Sequence, residues 1–478
     1  MEKRRRVGGE DGNRGVEENT MAILDTFGFS SSTIAHHLND DRLAYLEAVR
    51  TACLLPDSGS SPTPKMLEAI FHIMMDADSL DLIMESYQLF VELDKCFPRV
   101  YLSKEEEPVS SSPTSMLSEL VVVEESWIPF NFASDNNHGK ATNHSGTLVD
   151  SVGFHTHVQE IAKVAREMGS NAVETVFLKN MILLQYLIIV LERDFCPRNF
   201  AYQENKNWVI VRESTLNLLL GSRKINYKVL MKDCLSLMCD LSELTVSGET
   251  SNHDNSLEEI SHESNGAVLL ALPEVKKSTC MALKKLFVLT MELDSSRRIA
   301  DQQGLITRAD GVRTPVMEII LDELIYNNDT LLPFLQVFDP KWKLQIITQY
   351  FQKYIPKSSV QTRRSSEVIN TENFSGILKC LSNRNTTKNV IKKIIPEIVQ
   401  LLLAYGLQAY LVLSNEHLLE GLPDSMEDVK SKSDNVANIC KNLISAFTCL
   451  RQEDRLSSFS SHAKEALVTA AVVLSSKS

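Results

Sequence analysis

The sequence predicts an all-α fold, arranged as an irregular armadillo- or HEAT-like helical solenoid with long disordered loops. Apolar residues recur at helical spacing along most of the chain, and only 18 of its 478 residues are glycine. A strand-like pattern is confined to two short runs, Val121–Val123 and Trp208–Val211. No strict period indicates an ankyrin or tetratricopeptide array, whereas HEAT and armadillo repeats tolerate divergence. Separate helical bundles are the alternative arrangement.

The first helices are bounded by prolines and by capping residues. We predict that the first helix stops before Pro56. The second begins at Thr63 and Pro64, a capping hydroxyl followed by a proline at the first helical position. Ser79 opens the third, which ends before Pro98. Three helices with short joins are therefore expected after a disordered tail.

Longer helices are predicted in the middle of the chain. One begins at Asn171, which forms a capping-box pattern with Glu174, and runs to Arg193. Further helices are predicted over residues 208–220, 227–241 and 268–294. A polar loop is expected at 245–266, because Ser, Asn, Glu and His dominate it.

Residues 310–357 are the stretch on which the prediction depends most, because they are predicted to form two or three short helices, two of them with clear start signals. Thr314 is predicted to cap the first helix, with Pro315 at its first helical position. Asp339 and Pro340 repeat this arrangement at the start of the second. Helices this short are marginal alone and must bury an apolar stripe against neighbours. The stretch is therefore predicted to be one unit of a longer stack.

The C-terminal part is also predicted to be helical, with Pro396 kinking or splitting one helix. The helices are expected at 373–382, 387–413, 434–450 and 461–475. The predicted organisation is a disordered N-terminal tail (1–38), N-terminal helices (39–102), a flexible loop with an aromatic anchor at Trp127–Phe132 (103–150), central helical repeats (151–357), a flexible loop (358–372) and C-terminal helices (373–478).

Charge and cysteine content favour a soluble intracellular protein. The net charge of −13 argues against a surface that is basic throughout, although a local basic face stays possible. Nine cysteines without a CxxC pair fit reduced thiols better than a zinc site. The first residues lack the apolar segment of a secretory signal. The apolar runs Met181–Leu191 and Ile398–Leu413 contain Gln185 and Gln400 and look too short to span a bilayer, so we predict buried core helices.

The sequence predicts no catalytic, cofactor-binding or metal-binding residue. It contains no phosphate-binding loop motif, no dinucleotide-binding glycine motif, no metalloprotease motif and no nucleophile elbow. The histidines are interpreted as solvated or capping side chains rather than metal ligands: His36, His37, His138, His144, His155 and His157. The pattern favours a non-enzymatic scaffold without a cofactor or a small-molecule substrate.

Three groups of basic residues place positive charge on helices or at their entrances. They are Arg223, Lys224, Lys228 and Lys232; Lys276, Lys277, Lys284 and Lys285; and Lys388, Lys392 and Lys393. Helix stacking would align such groups into a face that follows a phosphate backbone, while solvated helix faces are the simpler interpretation. No aromatic residues are interleaved with them, so base stacking is not indicated.

Two short basic motifs are candidates for a nuclear-import signal and for a phosphorylation site. Lys3–Arg6 has the composition of a nuclear-import signal. Arg363–Ser366 places two serines, Ser365 and Ser366, directly after two arginines, as a basophilic kinase would require.

Nine segments, in order across nearly the whole chain, carry a family resemblance. They are DRLAYLEAVR (41–50), WIPFNF (127–132), FCPRN (195–199), SRKINYKVLMKDCLSLMC (222–239), MELD (291–294), DGVRTPVMEIILDEL (310–324), FLQVFDPKWKLQI (334–346), KYIPK (353–357) and ISAFT (444–448). None is a catalytic motif. Together they resemble the plant negative regulators of systemic acquired resistance, suppressors of inducible immunity that are grouped with the non-SMC subunits of the SMC5-SMC6 complex.

The resemblance implies a nuclear protein with an armadillo-like helical fold and no enzymatic activity of its own. It implies assembly with the SMC5-SMC6 ATPases and with a second non-SMC helical subunit. It also implies roles in DNA damage repair, in homologous recombination and in repression of defence-gene transcription. It transfers no site residue to this chain. The alternative is a DNA-binding transcriptional repressor that acts through basic helix faces; no membrane partner is expected.

Overall fold

The computed structural model shows a chain built almost entirely from helices. All structural statements concern the residues that it describes, namely 35–54, 60–98, 101–103, 120–122, 127–132, 148–167, 173–247, 263–326, 331–355, 373–420, 426–453 and 458–476. Within these ranges lie seventeen α-helices, one 3-10 turn and one pair of short strands. The prediction of an all-α fold class is therefore confirmed.

The helices in chain order are α1 (Ala35–Leu54), α2 (Pro64–Asp76), α3 (Leu80–Cys96), α4 (Ser151–Glu167), α5 (Val173–Asn205), α6 (Trp208–Arg212), α7 (Thr215–Gly221), α8 (Tyr227–Ser247), α9 (Glu263–Gln302), α10 (Val316–Tyr326), α11 (Leu331–Val337), α12 (Pro340–Gln352), α13 (Phe374–Leu381), α14 (Arg384–Ile391), α15 (Pro396–Glu420), α16 (Met426–Glu453) and α17 (Ser461–Ser475). The 3-10 turn is Arg308–Asp310. Strands β1 (Tyr101–Ser103) and β2 (Leu120–Val122) pair antiparallel, with Leu102 opposite Val121.

The chain divides by internal packing into unit 1, Met1–Glu323, and unit 2, Leu324–Ser478. In unit 1, the long helices α5 and α9 pack along each other, and α8 packs against both α9 and α4. In unit 2, α12 packs against α15, while α15, α16 and α17 pack against one another. The domain boundaries expected from the sequence stay predictions.

The long helix α5, which contains an extended apolar segment, is largely buried inside unit 1. Thr175–Asn205 is long and apolar enough to cross a bilayer by length and composition, so the sequence argument from shortness was wrong. However, 67% of its most apolar window is buried within the protein. Gln185 is 6% exposed, and its amide donates to the hydroxyl of Thr279 at 2.8 Å and to the carbonyl of Val275 at 3.3 Å. A buried amide satisfied by α9 is typical of a protein core.

Helix α15 in unit 2 is likewise long and apolar, and it too contains a buried amide. Pro396–Asn415 also passes the test of length and composition, and 50% of its most apolar window is buried. Gln400 is 3% exposed, and its carbonyl oxygen accepts from the amide of Ser460 at 2.9 Å. The polar residues of these two apolar helices thus bind neighbouring elements, which supports the predicted role as core helices.

Predicted helix starts are confirmed where a cap or a proline lies next to the first helical residue. The hydroxyl of Thr63 accepts from the amide of Met66 at 3.3 Å, and α2 begins at the proline after Thr63. Pro340 likewise opens α12, although the side chain of Asp339 makes no capping bond there. Pro396 opens α15, so the helix predicted over 387–413 is split, as one of the two expected outcomes.

Two long helices extend beyond their predicted bounds, because tertiary packing outweighs local stop signals. α5 passes through Pro197 and ends at Asn205 rather than Arg193. α9 begins at Glu263 and runs to Gln302, so it includes the end of the predicted 245–266 loop and passes the predicted end at residue 294. The added turns are buried: Tyr202 is fully buried, and its hydroxyl donates to the carbonyl of Ser296 at 3.2 Å. Such burial offsets the hydrogen bond that a proline removes.

The segment 208–220 also differs from its prediction, since it forms two helices. The hydroxyl of Ser214 accepts from the amide of Asn217 at 3.3 Å and caps α7, which separates it from α6. The β-like run Trp208–Val211 is helical, with Trp208 3% exposed. Apolar runs of this length do not distinguish a strand from a buried helix.

The aromatic patch near residue 127 packs on the core of unit 1. The ring of Trp127 lies 5.4 Å from that of Phe71 in α2 and is stacked at 6.4 Å from that of Phe90 in α3. Phe130 is 4% exposed, and its ring lies 6.3 Å from that of Phe154 in α4. Three helices therefore hold this segment, in agreement with the proposed aromatic anchor.

Several predictions fall outside the described residues. These are the N-terminal tail up to residue 34 with its Lys3–Arg6 motif, the capping residue Asn171, most of the predicted 103–150 and 245–266 loops, and the 358–372 loop with Arg363–Ser366.

Candidate functional site

Three of the segments that carry the family resemblance meet in unit 1. We name this meeting point the Asp294 junction and define it as Tyr227, Asp294, Arg297, Asp310 and Arg313. Its side chains come from the start of α8, the last turns of α9, the 3-10 turn and the loop before α10. The junction brings two carboxylates and two arginines together in the interior of unit 1, so it is the first candidate for a functional site.

Asp294 joins a loop and a helix start through one carboxylate. Its Oδ1 accepts from Nη2 of Arg313 at 2.7 Å, and its Oδ2 accepts from the amide of Val316 at 2.6 Å. The predicted cap at Thr314 and the predicted first helical position at Pro315 were therefore wrong. α10 begins at Val316, and a residue of α9 caps it instead. A carboxylate at that end also complements the helix dipole.

Arg313 is buried between a carboxylate and an aromatic ring. Its side chain is 6% exposed, and its guanidinium carbon lies 5.2 Å from the ring centroid of Tyr227. Nε and Nη1 are buried and have no hydrogen-bond partner among the residues that the structure describes. Burial raises the pKa of Tyr227, with a further contribution from the charge of Asp294, although Arg313 and Arg297 oppose the shift. The neutral ring therefore presents its face to a cation.

Asp310 is the second carboxylate of the junction and is 2% exposed in its side chain. It accepts from the amide and the hydroxyl of Thr307, each at 2.8 Å, and from Nε1 of Trp208 at 3.3 Å. Burial alone would raise its pKa, but these hydrogen bonds and the charge of Arg212, 3.2 Å away, hold that pKa below its ordinary value. Asp310 is therefore ionised and fully engaged at neutral pH.

Arg297, in the last turns of α9, links that helix to the 3-10 turn. Its Nη2 donates to the carbonyl oxygen of Asp310 at 2.6 Å. Burial lowers the pKa of Arg297, and the neighbouring charge of Arg313 lowers it further. Both carboxylates of the junction accept hydrogen bonds, and each arginine donates to an oxygen of the junction through its Nη2. The arrangement therefore positions backbone segments and leaves no carboxylate free to act as a base.

The histidines that drew attention in the sequence bind neighbouring helices. Nε2 of His155 lies 2.9 Å from Oδ2 of Asp233 in α8, and Nε2 of His157 donates to the carbonyl of Asn180 in α5 at 2.8 Å. The interpretation of these two residues as solvated or capping side chains was therefore wrong. Burial lowers the pKa of His157, an effect that the bond to Asn180 and the charge of Glu160 partly oppose.

The remaining histidine predictions, His36, His37, His138 and His144, concern side chains outside the described ones. Within the part of the chain that the structure describes, no group of three His, Cys, Asp or Glu side chains is arranged to hold a metal ion.

The three basic groups differ in how far they are neutralised. In unit 1, Lys232 pairs with Glu323 at 2.7 Å and Lys285 with Glu192 at 2.9 Å. Lys276 is buried and is 8% exposed, so it is not part of a surface at all. The third group, in unit 2, is exposed and consists of Lys388, Lys392 and Lys393. Among the described residues, it is the group in which no lysine is buried or ion-paired, so the sequence signal for a phosphate-binding face is strongest there.

Comparisons with known proteins decide the family. The SNI1 middle domain matches residues 99–340, and the SNI1 C-terminal domain matches residues 355–478. The chain belongs to the SNI1 family. A relative from Arabidopsis thaliana, the negative regulator of systemic acquired resistance SNI1, is 41% identical over 468 residues, which cover 97% of this chain and 95% of the relative. No solved structure matches.

The Asp294 junction and the exposed lysine group fall in different SNI1 domains. The Asp294 junction lies in the SNI1 middle domain, and the exposed lysines lie in the SNI1 C-terminal domain. Sequence reasoning missed the junction, because Asp294 and Arg313 are 19 residues apart and no local pattern links them. The one signal that pointed to it was indirect: both residues fall in segments that carry the family resemblance.

Proposed function

We propose that this chain is a negative regulator of systemic acquired resistance, which restrains defence-gene transcription until the plant is challenged. The observation that carries the proposal is the 41% identity to the Arabidopsis regulator over 97% of this chain and 95% of that protein. Correspondence over nearly both full lengths favours a shared role over a shared isolated domain. Matches to two consecutive SNI1 domains support the same conclusion.

We further propose the means by which it acts. The chain is a non-enzymatic nuclear scaffold subunit of the SMC5-SMC6 complex, serving DNA damage repair and homologous recombination. Its partners are the SMC5-SMC6 ATPases and a second non-SMC helical subunit, and its helices stack as an armadillo- or HEAT-like solenoid. Support comes from the family resemblance and from the helical composition of both units. Polar networks such as the Asp294 junction fix connections inside the protein, as a scaffold requires.

Complementation tests the regulatory role. Arabidopsis plants that lack the relative are transformed with this chain, with the relative itself or with an empty vector. Without an inducer, we expect defence-gene transcripts to fall to the wild-type level with this chain and with the relative, and to stay high with the vector. High transcripts in plants that accumulate the full-length nuclear protein would contradict the proposal.

Affinity purification tests the scaffold role. A tagged chain is expressed in the plant, nuclei are isolated, and bound proteins are identified by mass spectrometry. We expect recovery of SMC-type ATPases and of a second helical subunit, with cross-links that show which helices contact each partner. Repeated recovery of the tagged chain from nuclei without these proteins would reject this part of the proposal and leave the complementation result unaffected.

The alternative is a DNA-binding transcriptional repressor that acts through basic helix faces. Its supporting observation is the exposed lysine group in unit 2. Depletion of the SMC ATPases separates the two mechanisms: a direct repressor keeps defence genes silent after depletion, whereas a scaffold subunit loses that effect.

A further inference from the structure

The outward side of α14 in unit 2 carries only cations and amides. Arg384, Lys388 and Lys392 follow at intervals of four residues, which places them in one row along the helix and its C-cap. We name the exposed surface the α14 face, and its members are Arg384, Asn385, Lys388, Asn389, Lys392 and Lys393.

The opposite side of α14 is fixed in the core, so the α14 face is a rigid surface. Thr387 and Val390 are fully buried, and the hydroxyl of Thr387 donates to the carbonyl of Leu381 at 2.5 Å. At the helix start, the side chain of Asn383 accepts from the amide of Asn385 at 2.9 Å. A helix held at both its start and its buried side keeps the backbone that carries these cations in a fixed position.

The charge of this region is opposite to that of the whole chain. Between residues 373 and 415 there are five cations, Lys379 and the four on the α14 face, but one acid, Glu397, in a chain whose net charge is −13. Arg384 pairs with Glu453 of α16. Among the described residues, the three lysines of the face form no ion pair. They are therefore a local concentration of positive charge available to an anionic partner.

We propose that the α14 face binds the phosphate backbone of nucleic acid without regard to base sequence. One row rises about 6 Å per four residues, so its three cations extend along about 12 Å. A DNA strand carries one phosphate per 3.4 Å of axis, which places several phosphates within reach of this row. Lysine, arginine and asparagine side chains all donate to phosphate oxygens. The proposal concerns the chain by itself and does not depend on assembly with SMC proteins.

An acidic protein is a less suitable partner for the same face. The cores of protein interfaces are built on aromatic and apolar anchors. Within residues 384–397 the large apolar side chain that is exposed is Ile395, at 53%, and it lies beyond the helix. Cations and amides without an apolar centre match a phosphate backbone better than a protein surface.

The experiment measures DNA binding by the purified full-length protein. Two labelled 30-base-pair duplexes of unrelated sequence are titrated by fluorescence anisotropy at a series of salt concentrations. We expect both duplexes to bind at low salt with similar affinity. For Lys388→Ala/Lys392→Ala/Lys393→Ala we expect a slope of log K against log salt that is shallower by roughly 2 to 3, because each phosphate contact contributes about 0.9.

Matched variants separate this role from general charge and from helix stability. Lys65→Ala/Lys95→Ala/Lys163→Ala removes three exposed lysines from unit 1 and is expected to keep the wild-type slope. Replacement of Lys388, Lys392 and Lys393 by arginine keeps the charge and is expected to keep binding. Lysines near a helix C-terminus also stabilise the helix, so circular dichroism and thermal unfolding verify that each variant is folded.

Three outcomes would overturn the proposal. The first is no binding of either duplex by the folded wild-type protein at low salt. The second is a slope that the Lys388, Lys392 and Lys393 substitutions do not change more than the control substitutions do. The third is binding of labelled polyglutamate, and not of DNA, in a manner that depends on the three lysines, which would assign the face to an acidic protein. None of these outcomes bears on the purification test of the scaffold role.

Discussion

Asp294 and Arg313 form a buried ion pair in which the same carboxylate also caps α10. Oδ1 of Asp294 lies 2.7 Å from Nη2 of Arg313, while Oδ2 lies 2.6 Å from the amide nitrogen of Val316. The two side chains are 12% and 6% exposed. One carboxylate thereby fixes the end of α9, the connecting loop and the start of α10, so its loss affects all three at once.

We expect Asp294→Ala to destabilise unit 1 strongly. The substitution leaves the guanidinium of Arg313 buried without its counter-charge and leaves the amide of Val316 without an acceptor. Removing one partner of a buried ion pair costs about 3–5 kcal/mol. Urea unfolding followed by circular dichroism measures the change. Asp301→Ala, at an exposed position of the same helix, is the control and is expected to change stability by less than about 0.5 kcal/mol. Equal stability of the two variants would contradict the structural role of the pair.

Gly406 and Phe374 give a test of packing in unit 2. A Cβ atom added at Gly406 would lie 2.5 Å from both Cε2 and Cζ of the Phe374 ring, which is 2% exposed. Since neither the ring nor the helix backbone has free space, we expect Gly406→Ala to cost about 1–3 kcal/mol. Gly221→Ala is the matched control, because an added Cβ there meets nothing within 4 Å. The control should be neutral or stabilising by up to about 1 kcal/mol, and a Gly406→Ala protein as stable as this control would refute the packing argument.

The sequence predicted features whose causes lie within a few residues. Thr63 and its following proline start α2 as predicted, because cap and helix are adjacent. The cap of α10 comes from Asp294, 22 residues before Val316, and only the folded chain brings them together. The helix predicted to end at Arg193 continues through Pro197 to Asn205, and the added part contains the fully buried Tyr202.

The basic surfaces, like the helix caps, could be predicted from the sequence only where their cause is local. The three basic groups were visible in the sequence, but their partners were not. Glu192 forms an ion pair with Lys285, which is 93 residues away in the sequence, and no local pattern predicts such a pair. Lys388 and its neighbours kept their predicted exposure, because few acids lie near them in the chain. Partners distant in the sequence therefore determined which of these lysines are ion-paired.

Trp342 and Pro315 test whether the 310–357 stretch is structural. Trp342 is 8% exposed in α12, so we expect Trp342→Ala to cost about 3–5 kcal/mol and to reduce recovery of partner proteins in the same proportion as folded protein is lost. Pro315→Gly increases the backbone freedom of the residue before α10 in the unfolded chain, so it should lower the free energy of unfolding by about 1 kcal/mol. Thermal unfolding and affinity purification are measured on the same samples. Normal stability with lost assembly would instead identify a direct contact surface.

His157 gives unit 1 a dependence of stability on pH. Its Nε2 donates to the carbonyl of Asn180 at 2.8 Å, and burial lowers its pKa below the ordinary value of about 6.5. Above that pH the imidazole is neutral in both folded and unfolded chains and contributes no dependence. As the pH falls below about 6.5, the unfolded chain takes up a proton that the folded chain resists, so the free energy of unfolding decreases.

His157→Gln removes this titration while its amide can still donate to Asn180. We therefore expect the variant to lose less stability than the wild-type protein between pH 7 and pH 5, although at pH 7 it loses about 1 kcal/mol through altered packing. His462→Gln, in unit 2, controls for the loss of an imidazole. Urea midpoints of unit 1 at four pH values provide the measurement. If the two variants and the wild type share one pH profile, the buried neutral imidazole does not govern the acid sensitivity of unit 1.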